Sequence, residues 1–162
     1  MNQTEKEARA FLRHTIATVA YRGAKALRDA PAGFSGFTAG PSSRSAGHIL
    51  AHLCDLYAWS LTLCHGTQAY NVSAPGEWER DVDRFFTALE RVDAFLASDA
   101  PLAFPPERLF QGPVADSLTH IGQIAMMRRL AGAAVKGEDY SIADVAPGRV
   151  GRQQSAPAFE FD

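Results

Sequence analysis

SAGHILAHLCDLYAWSLTLCH, residues 45–65, is the stretch whose reading decides the fold. Ser45 suits a helix N-cap, and Gly66 suits the position just past a helix end. Between them, apolar residues recur at helical spacing. His48, Ile49, Asp55, Leu56, Trp59 and Leu63 all fall within about 60° of His52 at roughly 100° per residue. A helix over 45–65 follows, and its core-facing side carries imidazoles and a carboxylate.

Three more segments share the 3.6-residue period, and nothing reads as a strand. The first spans 4–29, with Leu12, Thr15, Ile16, Val19, Gly23, Ala26 and Leu27 as its stripe. Thr4 with Glu7 suggests a capping box. The third helix spans 77–98 on Val82, Phe85, Phe86, Leu89, Val92 and Leu96, leaving Arg80, Asp83, Arg84, Glu90 and Arg91 for the wet side. The fourth spans 113–136, opening on Pro113 at its first position and closed by Gly137. Residues 137–162 form an irregular tail, anchored by Tyr140, Ile142, Val145, Val150, Phe159 and Phe161. Four amphipathic helices in one chain make an all-α four-helix bundle, one domain over 1–162.

Composition narrows the function classes. Hydrophobic residues make up 46% and charged residues 21%, as in a globular domain, and the net charge of -2 argues against a nucleic-acid partner. No apolar run reaches the roughly 20 residues of a membrane helix. No secretory hydrophobic region opens the chain, so the expected compartment is the cytoplasm. Cys54 and Cys64 lie on one helix about 15 Å apart, too far for a disulfide, which fits a reducing environment.

The chemistry rests on two stretches: Gly47-His48-Ile49-Leu50-Ala51-His52 and Asp116-Ser117-Leu118-Thr119-His120-Ile121-Gly122-Gln123. Imidazoles and carboxylates are costly to bury without partners, and a shared cation satisfies several at once. Asp116 and His120 sit one helical turn apart, on the face that also holds Gln123, Ile124 and Met127. With His52 from the facing helix they make a set of two imidazoles and one carboxylate. Such a set leaves coordination positions open, as catalytic sites do and closed structural zinc sites do not. It also overlaps the facial triad of non-haem iron. His48 and Asp55 are expected as outer partners of the ligands, and Gln123 as a hydrogen-bonding neighbour of the ion's open side. His14 and His65 receive no chemical role, and Trp59 and Met127 read as core packing. Buried without a cation, the same groups would instead form a hydrogen-bond network.

Leu50-Ala51-His52-Leu53 and His120-Ile121-Gly122-Gln123-Ile124 resemble motifs of the DinB/YfiT-like superfamily of metalloenzyme bundles, the second matching its His-x-Gly-Gln signature. Residues 125–132 and 148–151 resemble one subgroup, and the likeness covers about residues 4 to 136. It implies an up-down-down-up bundle, often dimeric, holding a divalent metal, commonly nickel or zinc, on three histidines. Two of those positions fall on His52 and His120. The third falls on Asp116, a departure that favours harder ions such as iron or manganese or a weakened site. Characterised relatives use a low-molecular-weight thiol in transfer or isomerisation, and others are taken as hydrolases. The expectation is therefore a divalent-metal enzyme, thiol S-transferase or hydrolase, acting on a small molecule. The alternative is a non-catalytic ligand-binding or stress-related bundle with a degenerate site. Second apolar faces on helix two (Leu50, Leu53, Tyr57, Leu61) and helix four (Leu118, Ile121, Ala125) suggest that a second copy covers them as a homodimer.

Overall fold

The structure, a computed structural model, describes residues 2–161. Its long helices are α1 (Gln3–Leu27), α2 (Ala46–Cys64), α3 (Trp78–Ala97) and α5 (Ala115–Leu130), with a single turn, α4 (Pro106–Leu109), ahead of α5. The fold is all-α, as its periodicity requires. The tail adds a two-residue antiparallel pair, β1 (Gly137–Glu138) with β2 (Glu160–Phe161), too short to leave a strand period in the sequence.

Caps explain most boundaries. Asn2, not Thr4, opens α1: its side chain accepts from Glu5 N at 2.8 Å, two residues before the expected capping box. Ser45 caps α2 by accepting from His48 N, and Gly66 follows that helix at φ 85°, where a side chain would be strained. The last helix departs most from expectation. Pro113 is not its first residue. The helical path starts at Pro106, passes a wide turn at Phe110–Val114 and enters α5 through Gly112, whose φ -88°, ψ -105° are not helical. The kink absorbs Pro113, whose ring cannot sit in a regular helix interior. The far end also comes early: α5 stops at Leu130, and Gly132 at φ 75°, rather than Gly137, turns the chain away.

Helix α2 packs most broadly on α3 and also meets α5; α1 lies against both α3 and α5. The shared interior holds Leu12, Ile16, Leu50, Tyr57, Phe85 and Ile124, each essentially buried. Leu50, Leu53 and Tyr57 are completely covered and Ile121 nearly so, by the chain's own helices. Leu61, Leu118 and Ala125 on the same faces stay partly exposed.

Charged side chains lock the ends. Arg9 donates to Ser98 O and Ala100 O, and Arg128 to Ala26 O, Arg28 O and Ala133 O, so guanidiniums satisfy carbonyls left over at helix termini. The tail is clasped to α1 by Glu138, whose carboxylate takes Tyr21 Oη at 2.5 Å and Lys25 Nζ at 2.7 Å. Glu160 takes the same Lys25 at 2.8 Å. Val150 is the tail's buried apolar anchor, while Ile142, Phe159 and Phe161 remain exposed, contrary to their expected anchoring role.

Glu160 still pairs with Lys25 when Glu138 is removed, but Tyr21 Oη loses its acceptor, so Glu138→Ala should cost about 1–3 kcal/mol. Urea unfolding measures it, and a loss below about 1 kcal/mol would show that the clasp contributes little. Burial pushes both thiols up, Cys54 and Cys64 each to about 11 from 9.0. The native protein should therefore resist a thiol reagent at pH 8 and expose two reactive thiols in denaturant. Because the folded pKa lies above the unfolded one, this stabilisation is complete below pH 9 and is lost as pH climbs toward 11. Thiols that react promptly in the native state would contradict this account.

Candidate metal centre

Three side chains meet where α2 faces the first turns of α5. One donor atom each from His52, Asp116 and His120 lie within 4.8 Å of one another, among the described residues. The helical phase explains the meeting: His52 sits on the α5-facing side of α2, and Asp116 and His120 share one face of α5. Asp116 stands in the first turn of α5, where a carboxylate is favoured by the helix dipole.

The contacts orient both rings. His52 Nε2 lies 3.1 Å from Asp116 Oδ2, and His120 Nδ1 lies 3.3 Å from Asp116 Oδ1. The two imidazole centroids are 4.5 Å apart. His120 Nδ1 is also 2.9 Å from the Asp116 carbonyl oxygen. A carbonyl only accepts, so this nitrogen carries the proton, and in the neutral ring Nε2 is left as a lone-pair donor. Ligands bound at 2.0–2.2 Å around a tetrahedral ion stand about 3.3–3.6 Å apart, and the His52–Asp116 separation of 3.1 Å lies just inside that spacing. The histidines are mostly covered, with side-chain exposures of 19% and 14%, whereas Asp116 at 42% opens to solvent. An ion can therefore enter past the carboxylate. The donor set fits a divalent cation.

The expected outer partners fall elsewhere. His48 is exposed and its Nδ1 lies 2.8 Å from Ser45 Oγ, so it belongs to the start of α2. Asp55 is buried on the α3 side of α2, where it accepts from Ser73 N at 2.8 Å and Ser73 Oγ at 2.6 Å. It fixes the connection between α2 and α3 rather than an imidazole. Gln123 is exposed and shares with His120 a cleft of about 650 Å³, together with Arg44, Ile49, Met126 and Met127.

Tyr70 supplies the outer contact that the sequence did not reveal. Its phenol oxygen is 2.8 Å from His52 Nδ1, and its ring meets Trp59 edge-on at 5.7 Å. Burial raises the phenol pKa, with the nearby charges of Asp55 and Asp116 adding to it and Arg44 opposing, so the group stays neutral. When His52 Nε2 serves as a lone pair, Nδ1–H donates to Tyr70 Oη, the arrangement that fixes ligand imidazoles in metalloproteins. Tyr70 lies in the polar connection Thr67-Gln68-Ala69-Tyr70-Asn71, where no periodicity predicts direction; a lone aromatic there is the only signal.

No family model matches the chain, and no solved structure matches it. Among curated proteins, a cysteine–tRNA ligase of Acidiphilium cryptum (strain JF-5) is 37% identical over 78 residues, which is 48% of this chain and 16% of that protein. The chain thus aligns with only a small part of that relative's length.

Removing the Tyr70 hydroxyl should loosen the His52 ring without unfolding the bundle. Tyr70→Phe should weaken zinc or nickel binding about 10- to 100-fold, read by equilibrium dialysis, and His48→Ala should leave it unchanged. Equal affinities for Tyr70→Phe and the parent protein would remove Tyr70 from the site.

Proposed function

We propose that the chain is a divalent-metal-dependent enzyme of the thiol S-transferase or hydrolase type, with the ion held by His52, Asp116 and His120. The observation that carries this reading is the convergence of those three donors, two mostly covered and one open, beside a cleft of small-molecule size. Nickel or zinc suits the imidazoles, and iron or manganese is compatible with the carboxylate. A divalent ion there supplies Lewis acidity, which brings the pKa of a thiol or of water toward neutrality.

The chain's own residues account for the remaining tasks. His52 and His120 present ring nitrogens, one ring steadied by Tyr70 and the other by the Asp116 carbonyl. Asp116 offsets part of the cation's charge. Ile49, Met126 and Met127 give the cleft an apolar wall for a substrate body, and Arg44 gives it a cation at the rim. A low-molecular-weight thiol is the cosubstrate in the transferase form of this reading, as the resemblance to the DinB/YfiT-like bundles suggests.

An up-down-down-up course accords with this family reading. Ala103, just past α3, donates to Cys64 O at the end of α2, and His65 meets Phe95 edge-on, so the C-terminal ends of α2 and α3 are neighbours. Arg9 near the start of α1 reaches Ser98 at the end of α3, while Arg128 near the end of α5 reaches Ala26 at the end of α1. The stretch shared with a cysteine–tRNA ligase is too small a part of that enzyme to bring its reaction here.

A second reading, a non-catalytic binding bundle, is favoured by one feature: Asp116 already contacts both imidazoles, so hydrogen bonds alone can satisfy the cluster. Elemental analysis separates the two. The parent protein should carry about one equivalent of divalent metal per chain and His120→Ala almost none. With metal loaded, transfer of a thiol to an electrophile or ester hydrolysis should fall more than about 100-fold in His52→Ala. Negligible metal in both proteins, or activity untouched in His52→Ala, overturns the enzyme reading.

A further inference from the structure

A second cleft, about 660 Å³, lies on the α3-facing side of α2, between α2, α3 and residues 69–73. Its α3 wall carries Arg80, Arg84 and Arg91, which the helical repeat places along one side; its α2 wall carries Trp59. Two carboxylates also line it, and both are engaged. Asp55 accepts from Ser73, and Asp83 accepts from Arg152 at 2.7 Å. The same Arg152 takes Glu79 at 2.6 Å. The tail thereby engages Glu79 and Asp83, which flank Arg80 on α3. Among the described residues, neither Arg80 nor Arg91 has a carboxylate within ion-pair distance. Arg84 Nε is shut off from water and makes no hydrogen bond, its nearest carboxylate oxygen being Asp81 Oδ1 at 3.5 Å. The rest of the Arg84 guanidinium is committed, Nη2 donating to Ala51 O at 3.4 Å and lying 4.0 Å from Asp55 Oδ1, so the free cations of the cleft are Arg80 and Arg91.

We propose that this groove is a binding site for a small organic anion with a flat apolar body. Its phosphate or carboxylate head would be held by one of Arg80 and Arg91, which the helical rise sets about 16 Å apart along α3, and its planar part laid against Trp59. Guanidiniums pair with both head groups through paired N–H donors, and the half-buried indole offers the flat face. The volume is that of an ordinary small-molecule site. The groove is separate from the His52–Asp116–His120 cluster and does not depend on a metal there. The two sites are neighbours through Trp59, which packs on the Tyr70 that holds His52.

The test follows the Trp59 indole N–H by heteronuclear NMR in the full chain, with the resonance assigned from Trp78→Phe. Phenylphosphonate, benzoate and benzyl alcohol are the probes. One or both anions should shift the Trp59 signal saturably, with benzyl alcohol at least about tenfold weaker, and the comparison between them shows which head group the site prefers. Arg80→Ala with Arg91→Ala should weaken the anion between about 10- and 100-fold. Both residues are exposed, so thermal unfolding should stay near that of the parent. His120→Ala, which breaks the metal cluster, should leave the affinity unchanged. Three outcomes overturn the proposal: no saturable shift with either anion, parental affinity in the double arginine variant, or binding lost in His120→Ala, which would place the anion on a metal instead.

Discussion

Helix α2 is apolar around most of its circumference, and the need to enclose it governs the rest of the molecule. Leu50, Leu53 and Tyr57 are fully covered, and so is Ala51 on the turn between them. One partner helix cannot cover such a cylinder. Helix α3 takes one side, α5 another, and α1 closes the interior from behind. Polar groups survive on α2 only where two partners leave a seam. His52 falls in the seam toward α5 and Asp55 in the seam toward α3. Each seam has become a cleft. The candidate metal centre and the arginine-lined groove are therefore two consequences of the same packing problem.

The parts of this arrangement legible in the sequence are those that follow from helical phase. A rotation of about 100° per residue is enough to place His52 on the covered side of α2, and to set Asp116 and His120 above one another on α5. Local stereochemistry was legible too: Ser45 and Gly66 bound α2 as their side chains and dihedrals allow. What escaped was everything fixed by non-periodic backbone. Pro113 signals a helix start in most contexts, yet here the flexibility of Gly112 lets the chain carry a proline through a wide turn, and the start moves back to Pro106. Tyr70 escaped because its position depends on how Asp55 pins Ser73, a contact between a helix and a loop with no shared period. Asp55, expected to orient a ligand imidazole, holds Ser73 of the α2–α3 connection instead.

Buried charge in this protein is used at chain junctions. Arg9 and Arg128 each satisfy backbone carbonyls at helix ends, and Lys25 with Glu138 fastens the tail to α1. A chain with a short fourth helix and a long irregular tail needs such fasteners, since the tail buries Val150 and little else of its apolar surface. The arginines choose carbonyls because helix termini leave several acceptors close together, and a planar guanidinium reaches more than one at a time.

The tail also shapes charge at a distance from its own anchor. Arg152 bridges Glu79 and Asp83 on the outer face of α3. On an isolated α3, Asp83 would stand one turn from Arg80 and partly neutralise it. With the tail in place that carboxylate is already taken, and Arg80 is left facing the groove. The positive character of the groove is thus a property of the folded tail as much as of α3. Trp59 makes the boundary between this groove and the histidine cluster a wall of aromatic rings: it meets Tyr70 on one side and packs over Gly112 on the other. A Cβ at 112 would meet the indole at 3.5 Å, an ordinary van der Waals contact. The indole thus lies between the backbone kink at Gly112 and the ring of Tyr70, and through Tyr70 it bears on the ring of His52.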